Sequence, residues 1–207
     1  MNKPLALMAL VASMALAGCA SPPTLYYTLA GAADAPPAAT PPAAAAAPLY
    51  LEFAPVALPE RLARAQMVVR LQGDKSAQVE VLEQHRWASS FENELRDALA
   101  SSVASRLGAF DATKGGRQNS MPVWRIAVQV RQFDATEGAR VDAAFGWTIK
   151  RSDATLATTC QFALSEPVGA GIDAVADGAR RVVASAAAAI ARSVTAAQTN
   201  PAGPCAL

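Results

Sequence analysis

Three successive segments in the middle of the chain alternate apolar and polar residues, and this restricts what the chain can fold into. Trp124, Ile126, Val128 and Val130 share one face, opposed by Arg125, Gln129 and Arg131. Val141, Ala143, Phe145, Trp147 and Ile149 share another, opposed by Arg140, Asp142, Thr148 and Lys150. Leu156, Cys160, Phe162 and Leu164 share a third, opposed by Thr159, Gln161 and Ser165. Alternation with a period of two places all apolar side chains of a strand on one side. Asp134 to Ala139 and Arg151 to Ala154 have turn chemistry. Such segments require an antiparallel sheet covered on one face and wet on the other.

The cover is legible as two helices. Ser89, with Glu92 three residues on, has the capping-box form. Phe91, Leu95, Leu99, Val103 and Leu107 then recur at every fourth position, with Glu92, Glu94, Arg96, Asp97 and Arg106 mostly off the stripe and Gly108 as a stop. Near the end, Val175, Ala179, Val182, Val183, Ala186, Ile190 and Val194 form a second stripe, separated by alanines small enough to let a helix lie close on a sheet and closed by Asn200-Pro201. Upstream, Leu49, Leu51 and Phe53 alternate, as do Met67, Val69 and Leu71. Val79 and Val81 follow the turn sequence Gln72-Gly73-Asp74-Lys75, which predicts a hairpin. Thr113 to Pro122 reads as a polar loop. Together these predict an α+β domain over residues 49–197, a mixed, largely antiparallel sheet of about six strands in βββαβββα order with both amphipathic helices packed on one face.

The N-terminus carries a different signal. Lys3 is followed by the uncharged apolar run Leu5 to Leu16, and this by Ala17-Gly18-Cys19. The run is shorter than the ~20 residues a stable span needs, so residues 1–18 read as a cleaved signal peptide. Small residues directly before a cysteine make Leu16-Ala17-Gly18-Cys19 a lipobox, with Cys19 the acylated first residue of the mature chain. One acyl chain gives marginal membrane binding and two or more give a stable anchor. Ala20, rather than aspartate, follows the cysteine and favours outer-membrane sorting in a Gram-negative envelope. Residues 19–48 contain the short apolar element Leu25-Tyr26-Tyr27-Thr28-Leu29 and then an almost pure alanine–proline stretch. Extended polyproline II over about 18 residues at ~3.1 Å each would reach on the order of 50 Å, which reads as a tether or inert spacer. Residues 198–207 form a proline- and glycine-bearing tail.

Charge narrows the partners. Of 18 basic residues only Lys3 lies in the signal segment, which holds no acid, so the mature chain has equal numbers of basic and acidic side chains. No electrostatic footprint for nucleic acid is present, and the scattered charges make no polybasic membrane patch.

Few residues suggest catalysis or a cofactor. His85 is the only histidine and has no spaced second ligand or nucleophile. Cys160 and Cys205 are too far apart in sequence for a zinc motif. Nucleophile-elbow, phosphate-loop and dinucleotide patterns do not occur. Gly169-Ala170-Gly171 lacks the lysine and context of a phosphate loop, and Glu92 and Asp97 read as a solvated helix face. A non-enzymatic chain without metal or cofactor is expected. An even number of mature cysteines in an oxidising compartment favours a Cys160–Cys205 disulfide, worth about 3–4 kcal/mol of chain entropy. The alternative is a free Cys160 thiol buried on the apolar face.

The lipobox, then Tyr26-Tyr27-Thr28-Leu29, Val56-Ala57-Leu58-Pro59-Glu60-Arg61-Leu62 and Arg86-Trp87-Ala88-Ser89 opening a helix, resemble the ABC-type transport auxiliary lipoproteins, typified by paraquat-inducible lipoprotein C. The resemblance runs in order from Cys19 to about Val194; the alanine–proline stretch and the cysteine-bearing tail depart from the family core. It implies an outer-membrane lipoprotein that docks a periplasmic MCE-domain protein and its inner-membrane transporter in lipid transport, with self-association possible. Tyr26, Tyr27, Pro59, Arg61 and Trp87 match the motifs, as contacts or as packing anchors. A general envelope-assembly lipoprotein would show the same anchor and domain. Association is expected through sheet edges and loops, with the mixed-charge sheet face (Arg125, Gln129, Arg131, Arg140, Asp142, Thr148 and Gln161) either contributing specificity more than affinity or merely solvated.

Overall fold

A computed structural model describes residues 22–31, 48–115, 121–200 and 205. Cys19, residues 1–18 and nearly all of the alanine–proline stretch lie outside the described residues. In chain order the elements are β1 (Leu25–Tyr27), β2 (Tyr50–Phe53), β3 (Gln66–Arg70), β4 (Val79–Trp87), α1 (Phe91–Leu107), β5 (Phe110–Asp111), β6 (Val123–Thr136), β7 (Arg140–Arg151), β8 (Thr158–Pro167) and α2 (Ile172–Thr199).

The long strand β6 organises the sheet. Along one edge it pairs with β7 for nearly its whole length, and β7 pairs with β8, both antiparallel. Along its other edge it takes β2 at its start and β3 at its end, both parallel. β4 then pairs antiparallel with β3, and β1 runs parallel beside β4 with Leu25, Tyr26 and Tyr27 opposite His85, Arg86 and Trp87. β5 joins the free side of β2. The sheet is mixed, as expected: its longest ladders are antiparallel and its short ones parallel. It has eight strands rather than about six, because β1 and β5 are too short to show a periodicity.

β1 changes the domain's boundaries. The expected start at residue 49 gives way to Leu25, since β1 hydrogen-bonds into the sheet before the alanine–proline stretch begins. That stretch is an internal connection. Its near end is held where Leu29 N–H donates to Glu94 Oε2 at 3.0 Å, in the first turn of α1. Its far end is held where Phe110 N–H donates to Leu49 O at 2.8 Å, just past the end of α1.

The alternation of β6 survives an interruption. A register shift between Val130 and Gln132 inserts one residue, so the inward positions pass from Val128 and Val130 to Phe133 and Ala135. Asp134 is therefore strand, and the turn is confined to Glu137–Ala139, where Gly138 adopts φ 67° and its N–H reaches Gly169 O at 3.1 Å. Leu156 departs from expectation as well. It precedes β8 and is 56 % exposed, while Thr158 takes the first inward position.

Both helices cover one face. α1 buries Phe91, Leu95, Leu99 and Val103, each worth roughly 1.5–3 kcal/mol when removed from water. Its N-cap is Ser90, whose hydroxyl accepts from Asn93 N–H at 3.3 Å, rather than Ser89, whose hydroxyl instead donates to Glu94. Gly108 ends the helix at φ 59°, with Ala109 N–H returning to Ala104 O at 2.9 Å. α2 buries the predicted stripe and runs on to Thr199. Gly178 lets it lie against the strands, since a Cβ there would overlap Val168 Cγ1. The helices start at the same end of the domain: Trp87 packs on Phe91 at the head of α1, and Tyr27 bonds Asp173 at the head of α2.

Cys160 and Cys205 are joined by a disulfide, with Cα atoms 5.6 Å apart. It ties the chain beyond α2 to the inward face of β8. Reduction of oxidised protein is expected to add two hydrogens to its mass and to lower stability by about 2–4 kcal/mol. Two free thiols in protein taken from an oxidising compartment would show that the bond does not form.

Candidate functional site

Of the five motif residues, four are held in the body of the fold. The Tyr27 hydroxyl donates to Asp173 Oδ1 at 2.7 Å. With its only proton so used, it accepts from His85 Nδ1 at 2.9 Å, and the two rings stack with centroids 5.8 Å apart. Burial, then the hydrogen bond and negative charge of Asp173, push the Tyr27 hydroxyl up to about 12. The hydroxyl thus acts as a latch between β1, β4 and α2.

The raised value has a testable sign. The unfolded chain ionises this phenol near pH 10, the native state only near 12. The latch therefore contributes fully below pH 10 and loses its contribution as pH rises from 10 through 12. Tyr27→Phe is expected to lower stability at pH 7 and to flatten that alkaline loss relative to the native chain. Denaturant midpoints at pH 7, 10 and 11.5 read both effects, and parallel pH profiles for the two proteins would refute the latch.

Pro59 and Arg61 lie in a short 3-10 turn. Pro59 has φ −57°, natural to its ring, and its carbonyl accepts from Leu62 N–H at 2.9 Å. Arg61 Nη2 lies 3.2 Å and Arg70 Nη2 2.8 Å from Asp134 Oδ1, and Gln132 Nε2 donates to Oδ2 at 3.0 Å. The 3-10 turn and β3 are thereby pinned to the end of β6. Trp87 is 5 % exposed, stacked obliquely on Phe91, which meets Phe133 edge-on. The void beside them, walled by Met67 and Val175, is about 20 Å³, too small for a lipid chain. Tyr26 faces solvent at 67 % exposure, more than Arg61, whose side chain is 41 % exposed.

The polar face of the sheet is open. Arg125 Nε pairs with Glu52 Oε1 at 3.2 Å and Arg140 Nε with Asp142 Oδ2 at 2.8 Å, while Ser165 Oγ donates to Asp142 Oδ1 at 2.6 Å. Burial alone would raise the Asp142 carboxyl, but the Ser165 bond and the Arg140 charge outweigh it and hold it below the ordinary range. On this face lies an open groove of about 600 Å³ that includes Ala54, Pro55 and Ala127 in its lining. Arg96, Lys114, Arg125 and Lys150 line it against Glu52, giving it a cationic rim.

Three residues central to these arrangements were not legible in the sequence. Asp173 meets Tyr27 across 146 positions, and Glu94 receives Thr28 Oγ1, Leu29 N–H and Ser89 Oγ. His85 read as an isolated histidine and is the third member of the Tyr27 latch. No spacing could announce these contacts, because the sheet alone brings the segments together. Among the described residues no three His, Cys, Asp or Glu side chains are grouped to hold a metal ion, and no helix is long and apolar enough to cross a membrane.

The same fold occurs in solved structures. One, an uncharacterized protein, matches at 20 % identity with a TM-score of 0.64, over 84 % of this chain and 99 % of its own. A Xanthomonas campestris protein of the DUF330 family matches at 12 % identity with a TM-score of 0.58, over 74 % of this chain and 88 % of its own. These likenesses define the fold. No curated protein matches the sequence. The family model described as the ABC-type transport auxiliary lipoprotein component matches residues 27–191, from the latch tyrosine almost to the end of α2, and the chain belongs to that family.

Proposed function

We propose that this chain is a non-enzymatic, outer-membrane-anchored lipoprotein that docks an MCE-type periplasmic protein in intermembrane lipid transport. The observation that carries the reading is membership of the transport auxiliary lipoprotein family across nearly the whole folded domain. Ala20 after Cys19 supports outer-membrane rather than inner-membrane sorting. The open sheet face supports docking, because it presents both charge signs and carries the cationic groove. Such a face sets orientation and partner choice more than affinity.

Reversal of charge at Arg125, Arg131 and Arg140 together tests the interface. The ion pairs broken are exposed ones worth ~0–1 kcal/mol each, so the domain should stay folded. Recovery of the MCE-domain partner from detergent-solubilised envelope is expected to fall strongly, and further at higher salt. Unchanged recovery with an intact fold removes this face from the interface; absence of any MCE-domain partner from the native pull-down removes the docking role.

A further inference from the structure

We infer that the β1 end of the domain rests on the lipid surface, with Leu25 and Tyr26 in contact with it, and that the alanine–proline stretch gives no stand-off from the membrane. The inference rests on acylation at Cys19 and adds an orientation to that anchor. Only six residue steps separate Cys19 from Leu25, and at ~3.3–3.6 Å per residue even a fully extended chain spans roughly 20–22 Å. Leu25 is already inside the sheet, paired with His85. The alanine–proline stretch lies downstream of that pairing, with its ends fixed at Leu29 and Leu49 at opposite ends of α1. It closes a loop of the domain and cannot lengthen the path to the anchor.

The surface so placed suits a lipid interface. β1 lies at the sheet's edge, and two adjacent side chains on it are exposed, Leu25 at 46 % and Tyr26 at 67 %. A tyrosine with an apolar body and a polar tip belongs at the boundary between headgroups and acyl chains. Opposite Tyr26, Arg86 pairs with Glu83 at 3.2 Å. Among the described residues the other exposed large apolar side chains are Val79, at the end of β4 away from Trp87, and Phe110 and Leu156, at 60 % and 56 %, past the ends of the helices that start near β1. α2 has 28 residues, about 42 Å at 1.5 Å each, so Leu156, beside Ala197 and Gln198, lies roughly 40 Å from the Tyr27 latch. That far end is presented to the periplasm.

The test uses the full acylated protein in vesicles of phosphatidylethanolamine and phosphatidylglycerol that carry a headgroup spin label as quencher. A fluorophore is placed at Tyr26→Cys or at Leu156→Cys; the native cysteines are occupied by acylation and by the disulfide. Quenching at position 26 is expected to be several-fold stronger than at 156. Duplicating residues 33–46 in place should change neither signal, whereas inserting the same stretch between Ala20 and Ser21 should weaken the signal at 26. Equal quenching at both sites, or equal effects of the two insertions, overturns the orientation. Loss of anchoring is read separately: protein that fails to float with the vesicles overturns acylation at Cys19, before any quenching is measured.

Discussion

Mature Cys19→Ala, exported behind an ordinary cleaved leader, is expected to leave the membrane pellet and appear folded in the soluble periplasmic fraction. Each buried acyl CH₂ contributes about 0.8 kcal/mol, so removing two or three chains removes effectively all membrane affinity. Among the described residues no helix is long and apolar enough to cross a membrane. Leu25 and Tyr26 make one small contact, adequate to orient an anchored domain and far too weak to hold a free one. The sheet begins at Leu25, six residues past the anchor, so denaturation midpoints should match the native protein. Retention in the pellet at high salt would count against lipid anchoring.

Trp87→Ala is expected to cost about 3–5 kcal/mol, a large part of the 5–15 kcal/mol that holds a typical domain together. Trp87 joins the end of β4 to the head of α1, filling the space between Phe91 and Met67. Its loss enlarges a void that already exists, and the surrounding strands are too constrained to collapse into it. Tyr26→Ala, by contrast, should stay within about 0.5 kcal/mol of the native protein. Urea midpoints with unchanged slope measure both. Equal, small effects would mean that Trp87 serves the family as a contact residue, not as a packing anchor.

Much of the architecture was written in residue periodicity. The stripes of α1 and α2 and the alternation of β6, β7 and β8 depend on side chains three, four or two positions apart, so each element states its own buried face. The hairpin of β3 and β4 was legible for the same reason, with its turn between. Boundaries were less so. Ser89 and Ser90 are chemically equal as caps, and only the backbone at the entry to α1 chose Ser90. The bulge in β6 moved the turn beyond Asp134 because Phe133 and Ala135 bury better facing the helices.

The sequence by itself determined the anchor signal at Cys19, the two-layer α+β composition, the even cysteine count and the motif order of the family. These are local or compositional properties, complete within a short stretch of chain. Only the tertiary structure decided that β1 belongs to the sheet, that the alanine–proline stretch closes a loop, and that Tyr27, His85 and Asp173 form one latch. β1 has three residues, and a strand so short is specified by the edge of β4 and the acceptor on α2, not by its own pattern. The position of the anchor relative to the fold followed from that pairing, because a covalent chain can extend only from the last residue the sheet has fixed.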